Sequence, residues 1–521
     1  MNRSSGGAPL TAQGHLSQLA RGAGRRRFWL WFAVILTLVI LVASFGELTR
    51  FPEWDEAVFW SQSGGYAGND APPSVMAASR ELGPPVLIGW LRQFGLSLFG
   101  VRLAWSALTI AVLVTACWRL DRHFGPYSGL VATAFIGTSW LFVAYAAGFY
   151  SSCLAAVLGL LVFALYLDIR TDPRSRWIWL WGLAASMALW MRPFETTLIL
   201  LVVIGHSVVE RPRFLWKRKP PSLIAGFAMI LVLFAIPWIV DSINRFGGVV
   251  ERLTLASEQG FAIGVGFRLM PYIDYLGGAQ QANNIFTEIP DWPGVVVVGF
   301  IIICVALAGF HVRRRVQPRS EWILMGALAV VGFAFYFVFA EQLRDRYLLY
   351  GLVFVLGLCG FAVARWVHGS ARSRVVLTVG GLLLWTIANI AIAGPYQRAR
   401  AIGSLQLEQM GKLLDMSIDQ PCRGVSRYGA PQWQLVTGCR FGSAASATEA
   451  IAMIGMIEAS GQPAIVIWPN VSELRLIERG DWTVVEFPRT AERSDSVFLR
   501  GVELSESVRA RIEQGFLVAP A

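Results

Sequence analysis

A succession of apolar segments, each close to twenty residues long and separated by short basic loops, most restricts what this chain can become. A helix needs about 20 mostly apolar residues to cross the hydrocarbon of a bilayer. On that measure about eleven segments qualify as spans: residues 28–46, 98–118, 127–146, 149–167, 177–191, 194–209, 222–240, 294–310, 322–340, 347–365 and 375–394. The composition agrees, since 55% of the 521 residues are hydrophobic and only 15% are charged. The expected fold class is therefore an all-α polytopic transmembrane bundle.

Basic residues concentrate between the spans, in Arg21 to Arg27, "RLDRHFG", "RTDPRSR", "RPRFLWKRKPP", "HVRRRVQPR" and "RWVHGSARSR". Cytoplasmic loops collect Lys and Arg, so the net charge of +11 is topogenic and a nucleic-acid partner is not expected. This places the amino terminus inside, with residues 1–27 a cytoplasmic basic tail. The first span has no small-residue cleavage site and is read as an uncleaved anchor. Facing outward are the loops 47–97 and 241–293, the turn "EQLRDRY" and everything after residue 395. Residues 177–209 are barely long enough for two crossings, so two short spans are expected to meet at an outward turn around Arg192 and Pro193. Such a break is either a binding-site element or a plain helical hairpin.

Beyond residue 396 the pattern changes. "ATEAIAMIGMIEAS" has helical periodicity, whereas "PAIVIWP", "WTVVEFP" and "DSVFLRGVEL" read as strands. Residues 397–521 are thus expected to form a small extracytoplasmic α/β domain on a 28–396 membrane domain. Cys117, Cys153, Cys304 and Cys359 fall in apolar runs and behave as small hydrophobes. If the C-terminal part faces an oxidising compartment, Cys422 and Cys439 can form one disulfide.

The stretch "RFPEWDEAVFWSQSGG" sets Asp55 and Glu56 among aromatic residues just after the first span. Trp54, Phe59, Trp60 and Trp90 suit a membrane interface. Gly83-Pro84-Pro85 should start a helix over "VLIGWLRQF" whose Leu87, Trp90, Leu91 and Phe94 share one side and lie along the bilayer surface. Read alone, the acidic pair is more simply a solvated pair beyond a helix end.

The Asp-Glu pair, the Pro-Pro helix and the Gly-x-Arg-led second span "LFGVRLAWSALTIAVLVTACWRLDRHFGPYSGL" together resemble one family over roughly residues 28–210. It is the bacterial protein-mannosyltransferase and aminoarabinose-transferase group of integral-membrane glycosyltransferases, with the GT-C fold. The resemblance implies a bacterial inner-membrane protein that takes a sugar from a polyprenyl-phosphate donor, with inversion, to an envelope acceptor at the extracytoplasmic face. It also implies that Asp55 is catalytic with Glu56 as companion, and that Arg346 and Tyr347, in "EQLRDRYLLYG", match the family's Arg-Tyr near the end of a late span. The fourth span begins "GFYSSCLAAV" and lacks the acidic residue that relatives often carry there.

The chemistry stands without the family. An acceptor hydroxyl attacking an anomeric carbon is helped by a carboxylate that withdraws its proton, and the departing phosphate by fixed cations where water is scarce. Among the outward arginines Arg80, Arg92, Arg192, Arg268, Arg344 and Arg346, the expected donor-phosphate residues are Arg346, Arg344 and then Arg192, with Tyr347 beside them. Lipid-headgroup contacts or internal ion pairs are the competing roles. Trp54, Glu81 and Pro85 are the expected substrate contacts. No cofactor is expected. The five His match no metal-ligand spacing, and a divalent cation at Asp55 and Glu56 would need distant help. A lipid-linked-sugar transporter or flippase and an envelope assembly scaffold are the rival functions. The apolar middles of most spans, with charge gathered at one rim, favour interfacial chemistry over transport.

Overall fold

Seven apolar segments are unbroken helices of membrane-spanning length: Leu98–Phe124, Ser151–Thr171, Ala225–Phe246, Trp292–Arg313, Ser320–Val338, Asp345–Val367 and Ser373–Arg398. The helices Ser128–Gly137 and Trp140–Ala146 meet at 70° and make an eighth span if counted as one crossing. The last three expected segments are helical but shorter, as Val34–Ala43, Trp177–Met191 and Pro193–Val209. The described parts of all eleven segments are thus helical, and seven, or eight with the bent pair, have the length to cross. The computed structural model describes residues 34–50, 54–66, 81–171, 176–210, 223–258, 291–314, 319–339, 345–368, 372–415, 421–426, 430–444, 446–468, 471–474, 482–490 and 493–500, with a few single positions besides.

Local chemistry sets the helix ends and breaks. Ser97 caps the helix Leu98–Phe124 by accepting from the Gly100 amide at 3.3 Å, and Gly125, at φ 111°, ends it. The 70° break leaves the Trp140 amide without its helical acceptor, and the Asn389 side chain supplies one at 2.8 Å. Pro237 removes the N–H that would reach the Leu233 carbonyl, and the helix runs through a π turn at Leu231–Ala235. The Trp190 indole donates to that Leu233 carbonyl at 2.7 Å.

Small residues let the bundle close. A Cβ at Gly129 would meet the Cys117 carbonyl oxygen at 1.9 Å, and one at Gly360 would meet the Ala132 backbone at 2.3–2.4 Å. Helix Ser128–Gly137 is therefore pressed between Leu98–Phe124 and Leu349–Val367, the packing expected where lipid supplies no hydrophobic drive. Cys117, Cys153, Cys304 and Cys359 are free and buried in these helices.

One helix, Arg372–Asp415, runs on past Pro395, so the expected boundary at residues 396/397 falls inside a continuous element. Its apolar part belongs to the bundle, while Leu407, Met410 and Leu414 are buried in the core of the C-terminal domain. That domain holds a five-stranded sheet of β1 (Arg423–Ser426), β2 (Arg440–Ser443), β3 (Ala464–Trp468), β4 (Thr483–Thr490) and β5 (Arg493–Arg500). The order is β2-β1-β3-β5-β4, with β1 parallel to β2 and β3, and β5 antiparallel to β3 and β4. β3 is buried along its whole length, as a central strand covered on both faces should be. Cys422 and Cys439 directly precede β1 and β2 and are joined by a disulfide.

Candidate active site

The acidic pair opens a helix, Trp54–Tyr66, and does not sit in an extended loop. Two carboxylates in a first turn suit the positive end of a helix dipole, so the local sequence favours this start. The two side chains then part. Asp55 pairs with Arg346, Oδ2 to Nη2, at 2.5 Å, at a place where Arg346 retains 15% exposure. Glu56 is fully buried. It accepts both Arg102 Nε and Nη2, at 3.1 and 3.0 Å, and pairs with Arg50 at 2.8 Å. Arg102 also donates to the backbone carbonyls of Leu48 and Arg50, and Arg50 pairs with Glu47. Arg102 is the arginine of the Gly-x-Arg motif, so that motif and the Glu of the acidic pair are two halves of one buried clamp.

Arg346 belongs to a 3-10 turn, Asp345–Leu348, that leads into the helix Leu349–Val367. Asp345 is fully buried and does not serve as a partner of the Arg346 guanidinium. It accepts the Arg346 amide at 2.9 Å, the Tyr145 hydroxyl at 2.6 Å and the Tyr396 hydroxyl at 2.9 Å. The turn is thereby fastened to two other helices, and the guanidinium is aimed at Asp55. Arg400 reinforces the wall: it donates to the Tyr150 hydroxyl at 2.8 Å and to the Ala144 carbonyl, and lies 3.5 Å from Glu47.

Arg192, at the break between Trp177–Met191 and Pro193–Glu210, occupies a second charged centre nearby. It pairs with Glu81 at 3.1 Å and Glu195 at 3.4 Å and donates to Ser151 and Ser152 at 3.0 and 3.1 Å. Burial opposes its charge, and the carboxylates of Glu81 and Glu195 outweigh that opposition, holding its pKa above the usual guanidinium value. The Tyr347 ring lies between the two centres, 5.4 Å from the Arg192 guanidinium and 5.3 Å from that of Arg346. Tyr336 stacks on Tyr347 at 4.8 Å and donates to Glu195.

The Pro-Pro motif explains how Glu81 arrives. A Cβ at Gly83 would meet the Trp190 carbonyl at 2.9 Å, so only glycine lets the helix Gly83–Gln93 dock against the end of Trp177–Met191, two residues from Arg192. Pro85 is buried in that docked first turn, and its part is packing. Leu87 and Leu91 are half-buried while Trp90 and Phe94 are exposed, which leaves an apolar side free along this helix. Arg92 donates to the Trp60 carbonyl and to Ser63, both at 2.8 Å, and pins the two short helices together; burial lowers its pKa. Phe59 is a core residue and no interfacial anchor.

Of the residues expected at the site, Asp55, Glu56, Arg192, Arg346, Tyr347 and Glu81 are brought into adjoining clusters. Arg344, Arg80, Arg268 and the Trp54 side chain lie outside the described residues. In the outward stretch 241–293, Asp241 is paired with Arg252 at 3.0 Å. Tyr145, Tyr150, Glu195, Tyr336, Tyr396 and Arg400 were missing from the expected set. The signal for Arg102 and Glu195 was a charge placed inside an apolar segment. Among the described residues no three His, Cys, Asp or Glu converge as metal ligands would. The C-terminal domain rests on this region, with the helix Ala430–Thr437 against Trp54–Tyr66 and Gln432 donating to the Pro52 carbonyl at 3.0 Å.

A helical membrane bundle carrying a mixed α/β domain is an architecture this chain shares with solved structures of a membrane protein. The particular likeness is to ArnT from Cupriavidus metallidurans. Its crystal structure bound to undecaprenyl phosphate matches 91% of this chain and 98% of its own, at TM-score 0.64 and 14% identity. Its apo structure matches 92% and 98%, at TM-score 0.60 and 14% identity. At that identity the likeness is one of fold. No known family pattern matches the chain, and no curated protein sequence matches it significantly.

Proposed function

We propose that this protein is a membrane glycosyltransferase that moves a sugar from a polyprenyl-phosphate donor to an acceptor hydroxyl in the bacterial cell envelope, with inversion. The membrane domain would lie in the inner membrane with the C-terminal domain on the extracytoplasmic side. The reading is carried by one observation: Asp55 and Arg346, from distant parts of the chain, meet as a largely buried ion pair beside Tyr347, and the C-terminal domain packs on the helix that carries Asp55. The shared fold with a protein crystallised with undecaprenyl phosphate supports the class of donor.

The roles follow from chemistry. The donor phosphate competes with Asp55 for the Arg346 guanidinium, and a guanidinium can hold phosphate through two parallel hydrogen bonds. As Arg346 turns to the phosphate, the Asp55 carboxylate is freed to take the proton of the attacking hydroxyl. Donor binding and activation of the base are thus one event. The hydroxyl oxygen bonds to the anomeric carbon from the face opposite the phosphate, the carbon–phosphate-oxygen bond breaks, and Arg346 stabilises the charge that develops on the leaving group. Glu56 is a positioning residue, since its carboxylate is spent on Arg50 and Arg102. Arg192, with Glu81 and Glu195, shapes the far side of Tyr347 and contacts the donor's sugar or phosphate.

Turnover of a radiolabelled polyprenyl-phosphate sugar by purified wild type and Asp55→Asn tests this reading. Loss of transfer in a folded variant is expected, and equal rates would remove Asp55 from the mechanism. Identifying the glycolipid that co-purifies with the protein by mass spectrometry would name the donor.

A further inference from the structure

A cavity of about 500 Å³ lies away from Asp55, between the helix Val34–Ala43 and the apolar part of Arg372–Asp415. Leu38, Val39 and Val42 form one wall, and Ile390, Ala393 and Gly394 the other. Both walls continue into apolar side chains open to the surroundings, such as Ile35 and Ile387. Among the described residues no charged side chain lines it.

Its polar groups are mostly engaged. Asn389 accepts the Trp140 amide and donates to the Trp385 carbonyl; Thr138 donates to the Ala134 carbonyl and accepts the Trp385 indole. Gln397 differs. It lines the cavity and is only 9% exposed, and its Nε2 is buried with no hydrogen-bond partner among the described residues. A buried amide donor left in this state calls for an acceptor from outside the chain. Gln397 stands at the last turn of the apolar stretch Ser373–Arg398, where the hydrocarbon of a bilayer gives way to its interfacial layer.

We infer that this groove binds an acyl-ester lipid of the bilayer, one chain along the apolar walls and one ester carbonyl accepting from Gln397 Nε2. The lone neutral donor favours a carbonyl over a phosphate, for which such sites use Arg or Lys. A polyprenyl phosphate has no carbonyl to offer, so the groove is separate from the donor's. Two of its lining residues, Val143 and Gln397, are close in sequence to Tyr145 and Tyr396, which hold Asp345 in the turn that carries Arg346. A lipid seated here buttresses Tyr396, the neighbour of Gln397 in sequence, and with it the turn that aims Arg346. The site does not depend on the glycosyltransferase reading, and either can fail without the other.

The test uses the full-length purified protein titrated with diester phosphatidylethanolamine, its diether analogue and undecaprenyl phosphate, each read by native mass spectrometry. Two variants accompany it: Gln397→Leu, which removes the donor, and Gly394→Phe, which fills the groove where an added Cβ meets no atom within 4 Å. Wild type is expected to hold one diester molecule about threefold to tenfold more tightly than the diether, the worth of one hydrogen bond. Gln397→Leu should hold both at the diether level, Gly394→Phe should lose about tenfold or more for either, and undecaprenyl phosphate binding should stay unchanged in both. Equal diester binding by all three proteins, or no preference of wild type for the diester, overturns the proposal. So does a Gly394→Phe variant that loses undecaprenyl phosphate and keeps phosphatidylethanolamine, which would give the groove to the polyprenyl chain.

Discussion

Arg346 Nη2 lies 2.5 Å from Asp55 Oδ2, joining a helix that follows the first apolar segment to a turn almost three hundred residues later. The two side chains keep 15% and 8% exposure, against none for the Glu56–Arg102 pair beside them. A ligand reaching the second pair would have to open the core, whereas the first pair keeps some contact with the surroundings.

Asp55→Asn keeps the shape of the side chain and removes its ability to take a proton. Transfer should fall by about 10²–10⁴-fold, the usual worth of a general base. Single-turnover assays alongside thermal unfolding would show the rate lost while the midpoint stays within a few degrees of wild type.

Arg346→Ala should raise the donor concentration needed for half-maximal rate by about tenfold or more, and lower the maximal rate as well, because the same cation meets the donor and the leaving group. Arg346→Lys should recover only part of this, since an ammonium cannot make two parallel bonds to phosphate. An unchanged dependence on donor concentration in Arg346→Ala would take the phosphate role away from it.

Arg102→Ala should act on stability. It leaves Glu56 buried and stripped of its bidentate partner, a change that costs about 3–5 kcal/mol. Folded yield and thermal midpoint should both drop, and Glu56→Gln should do the same more mildly. A folded Arg102→Ala protein of normal stability with no activity would instead move this pair into the chemistry.

Removing the disulfide by Cys422→Ser with Cys439→Ser should destabilise the C-terminal domain by about 3 kcal/mol, on the loop-closure account for a bridge spanning 17 residues. Limited proteolysis should then cut within residues 421–500 and leave the bundle intact. Transfer should slow too, since the helix between the two cysteines is the one that rests on Trp54–Tyr66.

The spans were legible because bilayer thickness imposes a length on apolar segments, and the described part of each expected segment is helical. The acid pair and the Arg346–Tyr347 pair could be found because few charges stand at that rim. Their partnerships could not. Nothing local in "RFPEWDE" says that Glu56 turns inward to Arg102 while Asp55 turns to Arg346; that division follows from which helix packs on which side. Glu81 was expected to touch substrate, and the sequence had no way to show Arg192 waiting across the docked Gly83 turn. Asp345 adjoins Arg346 in sequence, yet two tyrosines from helices far apart in sequence claim its carboxylate. The strands β1 and β2 were too short, at four residues each, to stand out as runs.

The unbroken helix Arg372–Asp415 makes the C-terminal domain a rigid crank. Each residue added or removed between Arg398 and Leu407 would swing that domain by about 100° around the helix axis and shift it by about 1.5 Å along it. The phase of this helix therefore fixes how the domain meets Trp54–Tyr66: a chimera carrying a relative's C-terminal domain should keep that contact only when the graft preserves the residue count through this shaft, whatever the sequence of the graft.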